Sequence, residues 1–282
     1  MNNYINHTLM MLEDMGMSNG YPRIHISEEN ADGIFRRTIY ASLQSGRRVS
    51  IESNQRAKFA LMFSLFDFFI DSNNPSLEGY SFSKKYKKLR FDNDYDLVLR
   101  ELFRIAKVMR NSLIHNPSSI NELEGGIKVA YKFNETNYCL EISSCGLSKF
   151  YTLLIMYIRG NLGSGAYFMG ITRSLYEVIV NEINVFSDEF LGNLNEPLAG
   201  LKINPSNRLV IINAPYIVEK ECIKIEFDRI NAAAEWEGVD YNIKYKEGNF
   251  LIPEESLNNE LTINEDVLFN NWEHGSKFPL NI

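Results

Sequence analysis

Cysteine is scarce in this chain of 282 residues, with Cys139, Cys145 and Cys222 the only three. An odd number without CxxC spacing or a neighbouring histidine supports neither a disulfide framework nor a zinc site. Excess positive charge is missing too. Against 36 acids stand 29 Lys and Arg, a formal charge of −7, which excludes a surface coated all over by nucleic acid and leaves room only for a local basic patch. Long apolar runs are absent: the strongest, "FALMFSLFDFFI" at 59–70, is broken by Ser64 and Asp67 and is shorter than the roughly 20 residues of a membrane span. The opening "MNNYINHTLMMLEDMGM" has no basic n-region and carries acids in its apolar part, so no secretory signal is read there. A cytoplasmic protein without membrane contact is expected.

Several signature loops are lacking as well. "DNDYD" at 92–96 starts like a calcium loop, but its sixth position is Leu97 instead of glycine and its twelfth is Phe103 instead of glutamate. "GNLGSG" at 160–165 has neither a preceding strand nor a Gly-Lys-Ser/Thr ending, so it is a turn and not a phosphate loop. No GxSxG elbow, HExxH pair or paired carboxylates on one face can be placed. Neither a cofactor nor a metal is implied.

What the chain does have is core: 45% hydrophobic and 12% aromatic residues. A short amphipathic helix is expected at 4–17, broken by Gly20 and Pro22, and another at 29–44. Ser53 suits the N-cap of a helix running to about residue 70, apolar nearly all round from Phe59 and therefore central. Next, Asp92, Asn93, Asp94 and Asp96 open a helix that Pro117 ends, with Leu99, Leu102, Phe103, Ala106, Met109 and Leu113 on its buried face. "GIKVAYKF" and "YCLEISS" flank "NETN" as a hairpin. Helices at about 147–159 and 166–186 follow; then come short strands such as "NRLVIINAP" and "VDYNIKY" and a late helix in "NEDVLFNNWEHG". These elements predict a mostly α protein: a helical extension at 1–50, a helical bundle with a β-hairpin insertion at 51–195, and a small α+β region at 196–282.

Chemistry concentrates in "VMRNSLIHN". His7, His25 and His274 have no company, whereas His115 stands near Arg110 and Asn111. On a helix Asn111 and His115 share a face, while Arg110 lies about 140° round from His115 and ~7.5 Å along the axis. Arg110 also falls on the stripe of Phe103, Ala106 and Leu113, where an unpaired charge is costly. Two readings fit. Either Arg110 pairs with Asp67 and His115 with Asn116 caps the helix, or Arg110 grips a phosphate while His115 moves a proton. A basic run, "KKYKKLR" at 84–90, is likewise either a solvated loop or an RNA track formed by Lys84, Lys85, Lys87, Lys88 and Arg90, with Tyr86 stacking a base.

Arg110-Asn111-Ser112-Leu113-Ile114-His115 resembles the Rx4H motif of the HEPN superfamily, with a polar residue directly after the arginine and the motif at the end of a long helix. The resemblance implies a four- or five-helix bundle and a metal-independent endoribonuclease, a toxin or antiphage effector, working as a homodimer in which two motifs form one cleft. Arg110 and His115 would be catalytic, Asn111 would orient the histidine or hold RNA, and Asp67 would pair with or position Arg110. One departure is Pro117, where toxins with a nucleotidyltransferase antitoxin often carry a tyrosine; that antitoxin is not implied, though another regulatory partner is. A non-catalytic RNA- or nucleotide-binding module of the same family is the alternative.

Overall fold

The computed structural model describes residues 9, 10, 12, 24–29, 35–40, 55–160, 165–190, 192–197, 199–205, 207–226 and 237–274. They divide into two compact units, the first comprising Met1–Gly20, Ser45–Gly160 and Leu175–Leu198, the second Tyr21–Gln44, Asn161–Ser174 and Ala199–Ile282. Most of the expected helix at 4–17, its Gly20 and Pro22 break, the Ser53 cap, His7 and most of the 160–165 turn lie outside the described residues.

In the first unit, helix α1 (Gln55–Asn73) buries Met62, Leu65, Phe66 and Ile70 completely. It is not enclosed all round, because Ser64 and Phe68 are exposed. A short helix α2 (Phe82–Lys88) leads to α3 (Asp94–His115). Asn93 starts α3 by accepting a hydrogen bond from the Asp96 N–H at 3.0 Å, one of the donors a helix N-terminus leaves unpaired. Pro117 enters a 3-10 turn that stops it, with Asn116 N–H still reaching the Ser112 carbonyl at 2.8 Å. Strands β3 (Ile120–Leu123), β4 (Gly126–Phe133) and β5 (Thr136–Ser143) precede helix α4 (Ser144–Arg159). Gly160 ends α4 in a left-handed conformation with φ of 66°, which glycine adopts without a steric penalty. Helix α5 (Gly165–Asn181), of which the part from Leu175 on belongs to this unit, and strand β6 (Ile183–Ser187) follow.

These strands form one antiparallel sheet, β3-β4-β5-β6. Its inner face alternates Ile127 and Val129 on β4 with Tyr138, Leu140 and Ile142 on β5, all buried, as a half-buried strand requires. The expected hairpin is therefore present, but β3 and β6 have paired with both of its edges. Residues 183–187, read as the end of a helix to 186, are strand instead: Ile183, Val185 and Phe186 are β-formers, and β5 offered an open ladder.

The second unit contains a six-stranded mixed sheet, β13-β11-β10-β7-β1-β2. Its members are β1 (Ile24–Glu29), β2 (Phe35–Tyr40), β7 (Arg208–Ile211), β10 (Gly238–Tyr245), β11 (Gly248–Pro253) and β13 (Glu273–His274). Strands β8 (Tyr216–Glu219), β9 (Cys222–Ile225) and β12 (Thr262–Asn264) make a three-stranded antiparallel sheet, and α6 (Glu265–Asn271) is the expected late helix. Here β7 runs parallel to both β1 and β10, and all four of its residues are buried, as in strands covered on both faces. Arg208, on that strand, is clamped by Asp240 at 2.7 Å and Glu255 at 2.6 Å.

The fold is thus α+β, with three sheets among the described residues, not the mostly α bundle with a single hairpin that the sequence predicted. The helix expected at 29–44 fails for a definite reason. "FRRTIY" ends in three consecutive β-formers, Thr38, Ile39 and Tyr40. Its neighbour β1 completes a ladder with β7, which lies more than a hundred residues downstream and leaves no trace in local spacing. Among the described residues no helix is long and apolar enough to cross a membrane.

Candidate functional site

All of the candidate residues lie in the first unit, on α1, α2 and α3 or in the loop after α2. At the end of α3 the three motif side chains meet. Arg110 Nη1 donates to Asn111 Oδ1 at 3.2 Å and lies 3.1 Å from His115 Nε2. The long arginine side chain spans the angle of about 140° that separates the two positions on the helix. Arg110 and Asn111 are half-buried and His115 is exposed, so the cluster opens to solvent.

Asp67 forms no ion pair with Arg110, although the guanidinium's charge acts on its carboxyl. Its carboxylate binds Lys85 Nζ at 2.8 Å, and Asp71 takes the same ammonium at 2.7 Å. Arg110 instead lays its guanidinium over the Phe82 ring, 4.6 Å from the centroid, and no carboxylate forms an ion pair with it among the described residues. Such a cation is attracted by the negative face of the ring. Phe82 belongs to an aromatic cluster with Phe63 and Phe103, at 5.2 and 6.2 Å, which fixes the platform beneath the charge.

The basic run at 84–90 is mostly helical, and the helix sorts its residues. Lys84, Lys87, Lys88 and Arg90 are exposed, whereas Lys85 is only 3% exposed. Burial works against the Lys85 charge, but Asp67 and Asp71 outweigh it and hold the ammonium above its ordinary pKa. Tyr86 also points inward. Its hydroxyl donates to Glu101 Oε1 at 2.9 Å, and burial, with Glu101 beside it, pushes its pKa up to about 12. Lys85 and Tyr86 are thereby structural residues, and the expected stacking role of Tyr86 is not served by its placement. Lys84 and Lys88 sit over the Tyr80 ring, at 3.6 and 5.0 Å. Because α2 begins at Phe82, its exposed lysines and Arg110 belong to one neighbourhood.

Beneath the motif lies a charged network that the apolar spacing of α3 concealed. Glu101, Arg104 and Lys107, three apart, are all buried on the helix side opposite the apolar stripe. Arg104 grips Asp188 with two hydrogen bonds of 2.7 and 2.8 Å and reaches the carbonyls of Gly192 and Asn193 at 3.1 Å. Such a fork-to-fork fit fixes orientation as well as distance. Lys107 binds Glu189 at 2.5 Å and Asp188 at 3.4 Å. Burial alone would raise the Asp188 pKa, but Arg104 and Lys107 overcome it and hold the carboxyl below its usual range. For Lys107 burial prevails over Glu189, and its pKa is lowered. The sequence signal was the i, i+3, i+6 row of charges followed by Asp188-Glu189 after a strand.

Tyr131 of β4 completes the surroundings of the motif. Its ring stacks on Tyr138 with centroids 4.8 Å apart, and the neighbouring Asn111 amide favours its ionised form, although burial dominates and raises its pKa. His25 is on β1; His274 Nε2 lies 3.0 Å from Asn242 Nδ2, far in sequence from the motif.

Comparison with protein-family models, with curated proteins and with solved structures finds no match.

Proposed function

We propose that the chain is a metal-independent endoribonuclease that uses the Rx4H chemistry of HEPN proteins, with Arg110, Asn111 and His115 as its cleavage residues. The observation that carries this reading is the contact of Arg110 with His115 at 3.1 Å while no carboxylate forms an ion pair with the guanidinium among the described residues. A half-exposed guanidinium beside an exposed imidazole brings a phosphate clamp and a proton-exchanging group to one point.

RNA provides its own nucleophile. The 2′-oxygen attacks the adjacent phosphorus, its proton leaves to a base, the P–O5′ bond breaks, and the departing 5′-oxygen takes a proton. Arg110 would stabilise the charge on the phosphorane, His115 would exchange a proton, and Asn111 would keep the guanidinium aimed. Exposed Lys84, Lys87, Lys88 and Arg90 would draw in the backbone.

A homodimer fits the surface beside the motif. Ile114, directly before His115, is 54% exposed, an apolar side chain that a partner subunit would cover. A cytoplasmic toxin or antiphage effector is the setting that this chemistry suggests, with a regulatory partner that holds it silent.

The test is cleavage of total RNA in EDTA by wild type, Arg110→Ala and His115→Ala, with folding and oligomeric state checked for each. Wild type should leave 2′,3′-cyclic phosphate ends and both variants should leave RNA intact. RNA binding without cleavage by folded wild type would point instead to a non-catalytic binding module.

A further inference from the structure

A chain of contacts between aromatic rings and one guanidinium lies at the start of α3. The Phe190 ring packs on Tyr86 with centroids 4.3 Å apart, the Arg100 guanidinium lies 4.3 Å from the Tyr86 ring, and the Phe91 ring lies 4.4 Å beyond the same guanidinium. Arg100 Nε also donates to the Tyr86 carbonyl at 3.2 Å, which fixes the guanidinium in place. The inner members are anchored, since Tyr86 is buried and bonded to Glu101. The outermost member is not covered. Phe91 is 58% exposed, and Arg100 is its one ring or cation contact among the described residues.

A solvent-facing phenyl ring held against a fixed cation costs little entropy to order further, and the natural next layer is another flat, polarisable group. Its neighbours indicate which one. Lys87, Lys88 and Arg90 are exposed immediately before it, and Lys84 and Lys88 stand over Tyr80, so cations precede Phe91 while the acids Asp92 and Asp96 follow it. A base with phosphate on the lysine side matches this order of charges.

We propose that the outer face of Phe91 is a stacking platform for one base of single-stranded RNA, with the backbone running over Lys88 and Lys84 toward Arg110. This inference rests on the nuclease reading for its destination and specifies the substrate as unpaired RNA. The distances agree, since Arg100 and Arg110 are ten residues apart on α3, ~15 Å along the axis. Beside that stretch lies α2, with Phe82 under Arg110 and Tyr86 under Arg100. A duplex keeps its bases stacked on each other and cannot add one to Phe91.

The experiment measures binding of a short 2′-O-methyl oligouridine strand, which lacks the nucleophile and cannot be cut, against a 2′-O-methyl duplex. Wild type should prefer the single strand by at least about tenfold. Phe91→Leu keeps an apolar cover on Arg100 but removes the π face; it should weaken binding about 5- to 100-fold without changing the salt slope, and Phe91→Trp should restore it. Lys88→Ala should instead reduce the slope of log affinity against log salt by about 0.7. Single-strand affinity unchanged in Phe91→Leu, or equal affinity for the duplex, overturns the platform. Because the probe is uncleavable, the two readings separate: loss of binding in Phe91→Leu with no cleavage of natural RNA by wild type keeps the platform and removes the nuclease, while cleavage with normal Phe91→Leu binding does the reverse.

Discussion

Two arginines six residues apart on one helix should respond to the same substitution in opposite ways. Arg104 is 3% exposed, bound by two hydrogen bonds to Asp188 and by two to backbone carbonyls. Truncating it to alanine removes the bidentate partner of the buried Asp188, which keeps the 3.4 Å contact to Lys107 and the Phe190 N–H at 3.0 Å, so the loss should reach about 3–5 kcal/mol. Arg110 is half-buried, contacts Asn111 and His115 at 3.2 and 3.1 Å, neither of them a carboxylate, and covers one ring. Its removal strands no charge, and alanine is the best helix former, so Arg110→Ala should cost only about 1–2 kcal/mol. Urea unfolding followed by far-UV circular dichroism would read both, with the midpoint of Arg104→Ala strongly lowered and that of Arg110→Ala close to wild type. In the cleavage assay the order reverses: Arg110→Ala should lose about 10²–10³ in kcat, the usual effect of removing one transition-state donor. Equal destabilisation by the two substitutions would refute the reasoning, because it would make Arg110 an internal brace.

Other consequences can be read on the same instruments. The Asp188 pKa is lowered below its ordinary 3.8, so its stabilisation is present above that ordinary value and drains away as pH falls through the lower folded one; the gap in urea midpoint between wild type and Asp188→Asn should close in that acid range, and a gap constant with pH would contradict the assignment. Lys85→Ala should destabilise by several kcal/mol by leaving Asp67 and Asp71 facing each other, whereas Lys84→Ala and Lys87→Ala should stay within about 0.5 kcal/mol and weaken only RNA binding; equal stabilities would erase the distinction drawn along α2. In the β4–β5 turn Asn134 and Glu135 have φ of 44° and 68°. Glu135→Gly should therefore raise the unfolding free energy by about 0.5–1 kcal/mol, and a neutral result would argue against a primed turn there.

Legibility in the sequence followed the range of the interactions. The ends of α3 were readable because Asn93 and Pro117 act within one turn, and the hairpin because both strands and "NETN" are contiguous. What failed was pairing at long range. Neither the β1–β7 ladder nor the addition of β6 to β5 has a local marker, so residues 35–40 and 183–187 took the helical pattern of their surroundings. At the site, helical spacing put Asn111 and His115 on one face but set Arg110 about 140° away, and only the reach of the long arginine side chain brings it to His115. The inward turn of Lys85 and Tyr86 was not legible, because "KKYKKLR" reads as uniformly exposed until Asp67, Asp71 and Glu101 are placed against it.

The division of labour along α3 gives the motif its physical sense. Glu101, Arg104 and Lys107 are buried charges, costly to desolvate, and an apolar row of the same volume would stabilise the helix at least as well. What the charged row does is fix position: Arg104 accepts only a bidentate fit to Asp188, and Lys107 only a close approach to Glu189, so α3 cannot rotate or slide without stranding charge. A helix so constrained delivers its last turn to a fixed place. Arg110 can then be left without an ion pair, because its aim comes from Asn111, His115 and the Phe82 ring instead of from a carboxylate that would neutralise it. A positioned cation that is not already paired is what a phosphate requires, and on the proposed ribonuclease reading the buried network earlier on α3 would serve to keep Arg110 in that state.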